Sequence, residues 1–252
     1  MVEVKNLSKA YGTKWVLRNV SLRVRRRTIT ALIGPNGAGK STLMGVMSRL
    51  LKKDGGEIWI DGKEIGSYKS RELAKKISVL RQTNDVRIRI TVRELVSFGR
   101  FPHTEGRLRK EDWDWVDRAI AYMELDTVQD RFLDELSGGQ KQRAFIAMVL
   151  AQDTDYVLLD EPLNSLDMKH AVQMMKVLRR MVDELDKTVV VALHDINFAS
   201  VYADEIVAMK DGRVVKQGRS EEVIESDVLR EIYDMDVAVQ TIGGQRVCMY
   251  YQ

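Results

Sequence analysis

A chain of 252 residues with 40 basic and 37 acidic side chains, a formal net charge of +3, has room for one large core, or a core with a smaller attached lobe. Its single cysteine, Cys248, excludes an internal disulfide framework and any metal site built from several thiolates. The charge balance gives no argument for nucleic acid as a partner. No stretch approaches the roughly 20 apolar residues that cross a bilayer, and the start, MVEVKNLSKAYG, lacks a signal-peptide core, so a soluble chain of a reducing cytosol is expected.

In chain order, MVEVKNL (1–7), WVLRNVSLRV (15–24) and GEIWIDGKEI (56–65) are β-rich, punctuated by Gly12, Gly55-Gly56 and Asp61-Gly62. An Asp-Gly pair is a strong hairpin signal, and a small antiparallel sheet is predicted. TITALI (28–33) differs: it is almost uninterrupted apolar residues and Thr, the pattern of a strand buried on both faces of a parallel sheet. DYVLLD (155–160) and TVVVAL (188–193) repeat that character. They alternate with helical spacing in QKQRAFIAMVLAQ (140–152) and AVQMMKVLRRMVDEL (171–185), which predicts an α/β core.

From about Thr91 to Asp153 the pattern is helical, clearest in TVRELVSFGR (91–100) and KEDWDWVDRAIAYMELD (110–126), and reads as a helical subdomain inserted into the core. After Gly218 a helix is followed by a hairpin turning at Gly243-Gly244, too short for a second catalytic or regulatory domain. The expected division is about 1–84 and 154–230 for the α/β core with its antiparallel sheet, about 85–153 for the helical insertion, and 231–252 for a short C-terminal extension. Trp15, Trp59, Trp113 and Trp115 read as packing residues, because no basic groove pattern surrounds them. His103 and His170 are expected at the surface. The run Arg23 to Arg27 reads as a solvated strand end with Leu22 and Val24 turned inward.

The first chemistry-bearing stretch is LIGPNGAGKSTL, Leu32 to Leu43. Gly34, Gly39, Lys40 and Ser41 match the phosphate-binding pattern G-x-x-x-x-G-K-[ST], with a predicted strand before it. The loop Gly34, Pro35, Asn36, Gly37, Ala38, Gly39 lets backbone N–H groups curl around phosphate oxygens, and the helix that follows points its positive end at the same anion. Lys40 adds a full charge at the β and γ phosphates, Ser41 offers a hydroxyl to a magnesium ion, and Thr42 completes the first turn of the nucleotide-binding segment. In DYVLLDEP, Asp160 and Glu161 stand where parallel sheets put their ligands. Asp160 would hold magnesium, and Glu161 would orient and deprotonate an attacking water. Either acidic residue could instead serve only as a helix cap before Pro162.

LSGGQKQR, Leu136 to Arg143, supplies a second anion-binding helix start, with Ser137 the natural N-cap before Gly138, Gly139 and Gln140. One triphosphate does not need two such cradles from one chain. With the phosphate loop and LLDEP, this stretch resembles the signature of ATP-binding cassette ATPases, and the resemblance covers essentially the whole chain. It implies the fold of that family: a P-loop NTPase core with a parallel sheet, an N-terminal antiparallel β subdomain and an inserted helical subdomain. It also implies ATP and Mg2+ as ligands.

By the same resemblance Tyr11 matches the aromatic residue that stacks on adenine, although a lone turn tyrosine also serves packing. Gln82 matches the glutamine that contacts magnesium and senses the membrane partner. The stretch NSLD matches the loop ending at Asp167, and His194 the histidine that contacts the γ phosphate. In the family two copies face each other head to tail, so that the signature of one closes on the nucleotide of the other. A homodimer is therefore implied, with separate permease subunits in the membrane, a substrate-binding protein outside it, and this chain at the cytoplasmic face of a bacterial plasma membrane.

The stretch QTNDVRIRITVRELVSFGRFPH, Gln82 to His103, resembles ATPases serving importers of ferric siderophores, haem and vitamin B12. EPLNSLDMKHAVQMM and RVCMYY point to the ferric-siderophore branch. The alternatives are a haem or vitamin B12 importer ATPase, or a soluble non-transport relative acting in iron-sulfur assembly. Relatives commonly carry glycine where this chain has Arg27. An arginine at positive φ costs on the order of 1 kcal/mol or more, so the turn is expected to take another form.

Overall fold

The computed structural model describes residues 1–82, 88–104, 106–164 and 166–250. Part of the Gln82 to His103 stretch, together with Ser165 and Tyr251, therefore lies outside the described residues.

The N-terminal strands form where the sequence suggests. Strands β1 (Val2–Tyr11) and β2 (Lys14–Val24) pair antiparallel around the Gly12 turn. Strand β3 (Ile29–Ile33) is buried throughout and leads into helix α1 (Lys40–Met47). Strands β4 (Gly55–Ile60) and β5 (Lys63–Glu64) form a hairpin whose turn residues, Asp61 and Gly62, both have positive φ, 51° and 80°. That is the geometry Asp-Gly favours. Together these strands make a sheet in the order β2-β1-β4-β5.

Helix α2 (Ser70–Ala74) and strand β6 (Ile77–Leu80) follow. Then come α3 (Val92–Ser97), α4 (Phe101–Thr104), α5 (Lys110–Tyr122) and α6 (Gly138–Ala151). Helices α3, α5 and α6 pack on one another. Arg100, almost fully buried, pairs with Asp112 on α5 at 3.2 Å and donates to the Ala151 carbonyl on α6 at 2.8 Å, which pins that packing.

The chain returns through β7 (Tyr156–Asp160), α7 (Met168–Leu185), β8 (Thr188–Ala192), α8 (Ile196–Tyr202), β9 (Glu205–Lys210) and β10 (Arg213–Gly218). It ends with α9 (Ser220–Val223), α10 (Ser226–Tyr233) and the hairpin β11 (Ala238–Ile242) and β12 (Gln245–Met249). The larger sheet has the order β10-β9-β3-β8-β7-β6, parallel except for the edge strand β10.

The sheet's two faces explain why its strands read as unbroken apolar runs. Ala31, Ile33, Leu159, Val191 and Ala208 join a core with α6, α7, α8 and α10, while their neighbours Leu32, Leu158, Val190 and Val207 join a second core with α1 and the antiparallel sheet. Alternate residues face opposite cores, so both must be apolar.

Several expectations need correction. Strands β6, β9 and β10 have no counterpart in the sequence reading; β6 has four residues, and the Asp211-Gly212 turn between β9 and β10 carries the same hairpin signal as Asp61-Gly62. Arg27 does adopt the left-handed conformation, at φ 57°. Its backbone N–H donates to Thr188 Oγ1 at 3.0 Å and its guanidinium meets Asp186 at 3.1 Å, contacts that offset the strain. Trp15 is half exposed rather than packed, whereas Trp113 lies against the core. His103 is partly buried and its Nε2 contacts the Gln152 carbonyl at 3.0 Å. The inward Leu22 and Val24 are found as expected.

Candidate active site

Register builds the site. In the parallel sheet Leu32 lies level with Ala192, Ala192 with Asp160, and Leu80 with Leu159. The residues just beyond these, Gly34 after β3, His194 after β8, Glu161 after β7 and Gln82 after β6, therefore emerge side by side at one carboxyl edge. Four chain segments far apart in sequence are brought together by backbone pairing alone.

The phosphate loop follows from glycine chemistry. Gly34, Gly37 and Gly39 have φ of 141°, 82° and 102°. A Cβ on Gly34 would sit 2.1 Å from the Met209 carbonyl oxygen, and one on Gly39 would sit 2.8 Å from Leu17 Cδ2. The loop thus lies against β9 and β2 in a way a side chain would prevent. Pro35 and Ala38 close a turn through the Ala38 N–H, and the Ala38 carbonyl accepts from Gly212. Lys40 is only 5% exposed, its ammonium donating to the Gly34 carbonyl at 2.6 Å and to Pro35 at 3.1 Å. Burial lowers its pKa, an effect that Glu161 and Asp160 oppose.

Ser41 Oγ donates to Asp160 Oδ1 at 3.0 Å. Burial raises the Asp160 pKa, partly countered by that hydrogen bond. Glu161 follows with φ 52°, a left-handed conformation directly before Pro162 that both Cβ and proline disfavour. Strain of this kind gathers at functional positions. Its carboxylate, 7% exposed, is held from three sides: His194 Nε2 lies 2.6 Å from Oε1, while Gln82 Nε2 and Asn164 Nδ2 donate to Oε2 at 2.5 and 2.6 Å. Sequence reasoning did not single out Asn164; the available signal was its place three residues after Glu161, in a turn closed by its own N–H on the Glu161 carbonyl at 3.2 Å.

Tyr11, half exposed, shares a cavity of about 220 Å³ with Ser41, Thr42 and Asp160. That cavity joins the end of the antiparallel sheet to the phosphate loop. Asn36 is an exposed loop residue.

The donor set suits magnesium. Ser41 Oγ and Asp160 Oδ1 are hard oxygens next to the phosphate loop, and magnesium commonly takes one or two carboxylates together with substrate phosphate oxygens. Among the described residues no cluster of three or more His, Cys, Asp or Glu side chains could hold a metal unaided.

The second cradle stands apart. Ser137 caps α6 by accepting from the Gln140 N–H at 3.3 Å, and Gln140 Oε1 accepts from the Ser137 N–H at 3.0 Å, a reciprocal capping box. Asp167 caps α7 and also meets His170 Nδ1 at 2.7 Å. A Cβ on Gly139 would be 3.0 Å from the His170 ring, so the starts of α6 and α7 touch through that histidine. They border a different cavity, of about 230 Å³, lined by Gly139, Leu166 and His170 rather than by phosphate-loop residues. His170 therefore bridges two predicted site segments, a role no spacing rule reveals.

Comparison with known proteins gives the family. The family described as ABC transporter matches residues 17–164. The chain is 61% identical over 251 residues to the petrobactin import ATP-binding protein YclP of Bacillus subtilis (strain 168), covering 100% of both chains. It is 46% identical to the petrobactin import ATP-binding protein FatE of Bacillus anthracis, covering 95% of this chain and 96% of that one. Among solved structures, a dimeric ATP-binding cassette in a post-hydrolysis state, bound to ADP and Pi, aligns with TM-score 0.77 and 31% identity over 87% of this chain and 99% of that chain. The chain belongs to the ABC transporter family.

Proposed function

We propose that this chain is the ATP-hydrolysing subunit of an importer that takes up a ferric siderophore through a separate permease. The observation that carries the ATPase reading is the carboxylate of Glu161, gripped by Gln82, Asn164 and His194 beside the Ser41 and Asp160 pair. The cargo reading rests on the relatives, whose names specify petrobactin import and, at 40% identity, ferric enterobactin transport. Ferric petrobactin is the first cargo to test.

In this reading the backbone N–H groups between Gly34 and Gly39 bind the phosphates, Lys40 places its charge at the β and γ positions, and Tyr11 stacks on adenine. Ser41 and Asp160 would hold magnesium, with the Gln82 amide oxygen as a further ligand. When bound, that ion neutralises charge on the outer phosphate oxygens. Glu161 orients the attacking water and takes its proton. His194 steadies Glu161 and reaches the outer phosphate. The helix start at Ser137, Gly138, Gly139 and Gln140, with Asp167 beside it, closes over the nucleotide of a second copy, so binding of two triphosphates draws the subunits together and hydrolysis releases them.

The helical region, about 85–153, passes this motion to a permease. Among the described residues no helix is long and apolar enough to cross a membrane, in keeping with a separate membrane subunit. We place the chain at the cytoplasmic face, in a system with an external substrate-binding protein.

The test is uptake of iron-55 presented on several siderophores, ferric petrobactin first, in cells whose only copy carries Glu161→Gln. Loss of uptake for one chelate, with the others normal, is expected. Normal uptake for every chelate would contradict the importer reading.

A further inference from the structure

The starts of α6 and α7, which meet the same partner nucleotide in the proposed dimer, are anchored to different parts of the fold. Helix α6 begins in the helical region: Arg143, one turn on from Gly139, lies 3.5 Å from the Met123 carbonyl and 3.5 Å from Glu124, both just past α5. Helix α7 stands on the main sheet, with Met174, Met175 and Leu178 buried in the core. Between the two starts the packing is open. The cavity of about 230 Å³ is walled by Gly139 and Arg143 on one side and by His170, Gln173 and Met174 on the other. Arg143 Nε is shielded from solvent and has no hydrogen-bond partner. A gap of that size forfeits the close contacts that would otherwise fix one helix on the other.

His170 joins the two starts. Asp167 Oδ1 accepts from the His170 backbone N–H at 2.8 Å and lies 2.7 Å from its Nδ1. An ionised carboxylate can only accept, so Nδ1 carries the proton of that pair, and the bond sets how the ring is turned. Held this way, the ring lies against the first turn of α6: a Cβ on Gly139 would be 3.0 Å from Cδ2 and 3.2 Å from Cγ. The contact uses a glycine, a residue that weakens a helix, where the methyl of an alanine would press on the ring.

We propose that His170 is a positioning residue for ATP turnover: its ring, tethered to Asp167 and seated on Gly139, holds the two helix starts in the arrangement that fits a nucleotide on a second copy of this chain. The inference rests on the ATP-dependent dimer proposed above. His170 borders a different cavity from Ser41 and Thr42, so binding of ATP to a single chain should not depend on it.

Two substitutions each keep half of the bridge. His170→Phe keeps a ring over Gly139 and removes the donor to Asp167; His170→Asn keeps a donor near Asp167 and removes the ring. In the purified full chain each should lower kcat on the order of tenfold, as expected when a reacting geometry is loosened. Titration with a fluorescent nucleotide, at concentrations where the chain is monomeric, should give wild-type affinity for both. Added to Glu161→Gln, each should shift elution in ATP and magnesium from dimer toward monomer. A merely structural histidine would lower Tm and leave kcat and elution unchanged. Wild-type kcat in either variant overturns the proposal, as does a loss of monomer nucleotide affinity large enough to account for the fall in kcat. A Glu161→Gln parent that stays monomeric in ATP fails at the dimer reading itself, and the positioning role falls with it.

Discussion

The two edges of the parallel sheet are built for different tasks. At the carboxyl edge Gly34, Glu161 and His194 emerge side by side, a strained φ of 52° is held at Glu161, and polar groups are turned toward one another. At the amino edge the same strands begin in a mesh of ion pairs. Asp61 accepts from the N-terminal ammonium at 2.7 Å, from the Tyr156 hydroxyl at 2.6 Å, and from two Arg26 nitrogens at 3.0 and 2.6 Å. Lys76 pairs with Asp155 at 2.7 Å, Lys187 with Asp153 at 2.8 Å, and Arg25 with Glu205 at 2.9 Å. Strain and chemistry collect at one edge, cross-linking at the other. Substitutions at the two edges should therefore separate turnover from stability.

The largest separation is expected at Lys40. Lys40→Ala removes the charge proposed above to meet the phosphates and should weaken nucleotide binding on the order of a hundredfold. Because a buried cation of lowered pKa is lost, stability should hold or rise. Titration with a fluorescent nucleotide, beside a thermal melt, checks both; unchanged affinity would break the contrast.

Asp61→Asn is the mirror case. Asparagine tolerates the left-handed turn position, so the hairpin should survive. Burial alone would raise the Asp61 carboxyl, but hydrogen bonds from Arg26, the N-terminal ammonium and Tyr156 more than reverse it and hold it well below the usual carboxylate range. A depressed folded pKa contributes stability above the unfolded value of about 3.9 and loses it as pH falls further. At pH 7 the variant should lose about 2 kcal/mol, or roughly 4–8 °C in Tm for a chain of this size. The difference from wild type should shrink below about pH 4. ATP turnover at 25 °C should be unaffected.

The smallest effect is expected at Arg27. Arg27→Gly relieves about 1–2 kcal/mol of left-handed strain but gives back about 0.5–1 kcal/mol of unfolded-chain entropy and the exposed pair with Asp186, worth about 1 kcal/mol at most. The terms nearly cancel, so a Tm within about 2 °C of wild type is expected. A large rise would mean that the turn's other contacts contribute little.

What could be read from the sequence follows the same division. The buried strands were legible because both faces must be apolar, the hairpins because Asp-Gly and Gly-Gly favour positive φ, and the phosphate loop because its glycines and lysine have fixed spacing. The rest depends on distance in space. Gln82 meets Glu161 only through the pairing of β6, a four-residue strand too short to show a period. His170 looks like a surface histidine until α6 and α7 bring Gly139 against it. The Arg27 turn was misjudged because its stabilising partners, Asp186 after the end of α7 and Thr188 at the start of β8, lie about 160 residues away.

The most direct test of the central claim is steady-state ATP turnover by the purified chain and by Glu161→Gln, with elution volume measured in ATP and magnesium. The assigned base predicts turnover in the wild type, a loss of about 100-fold or more in the variant, and a variant that elutes as a dimer because ATP is bound and not consumed. Hydrolysis by Glu161→Gln near the wild-type rate would contradict the account.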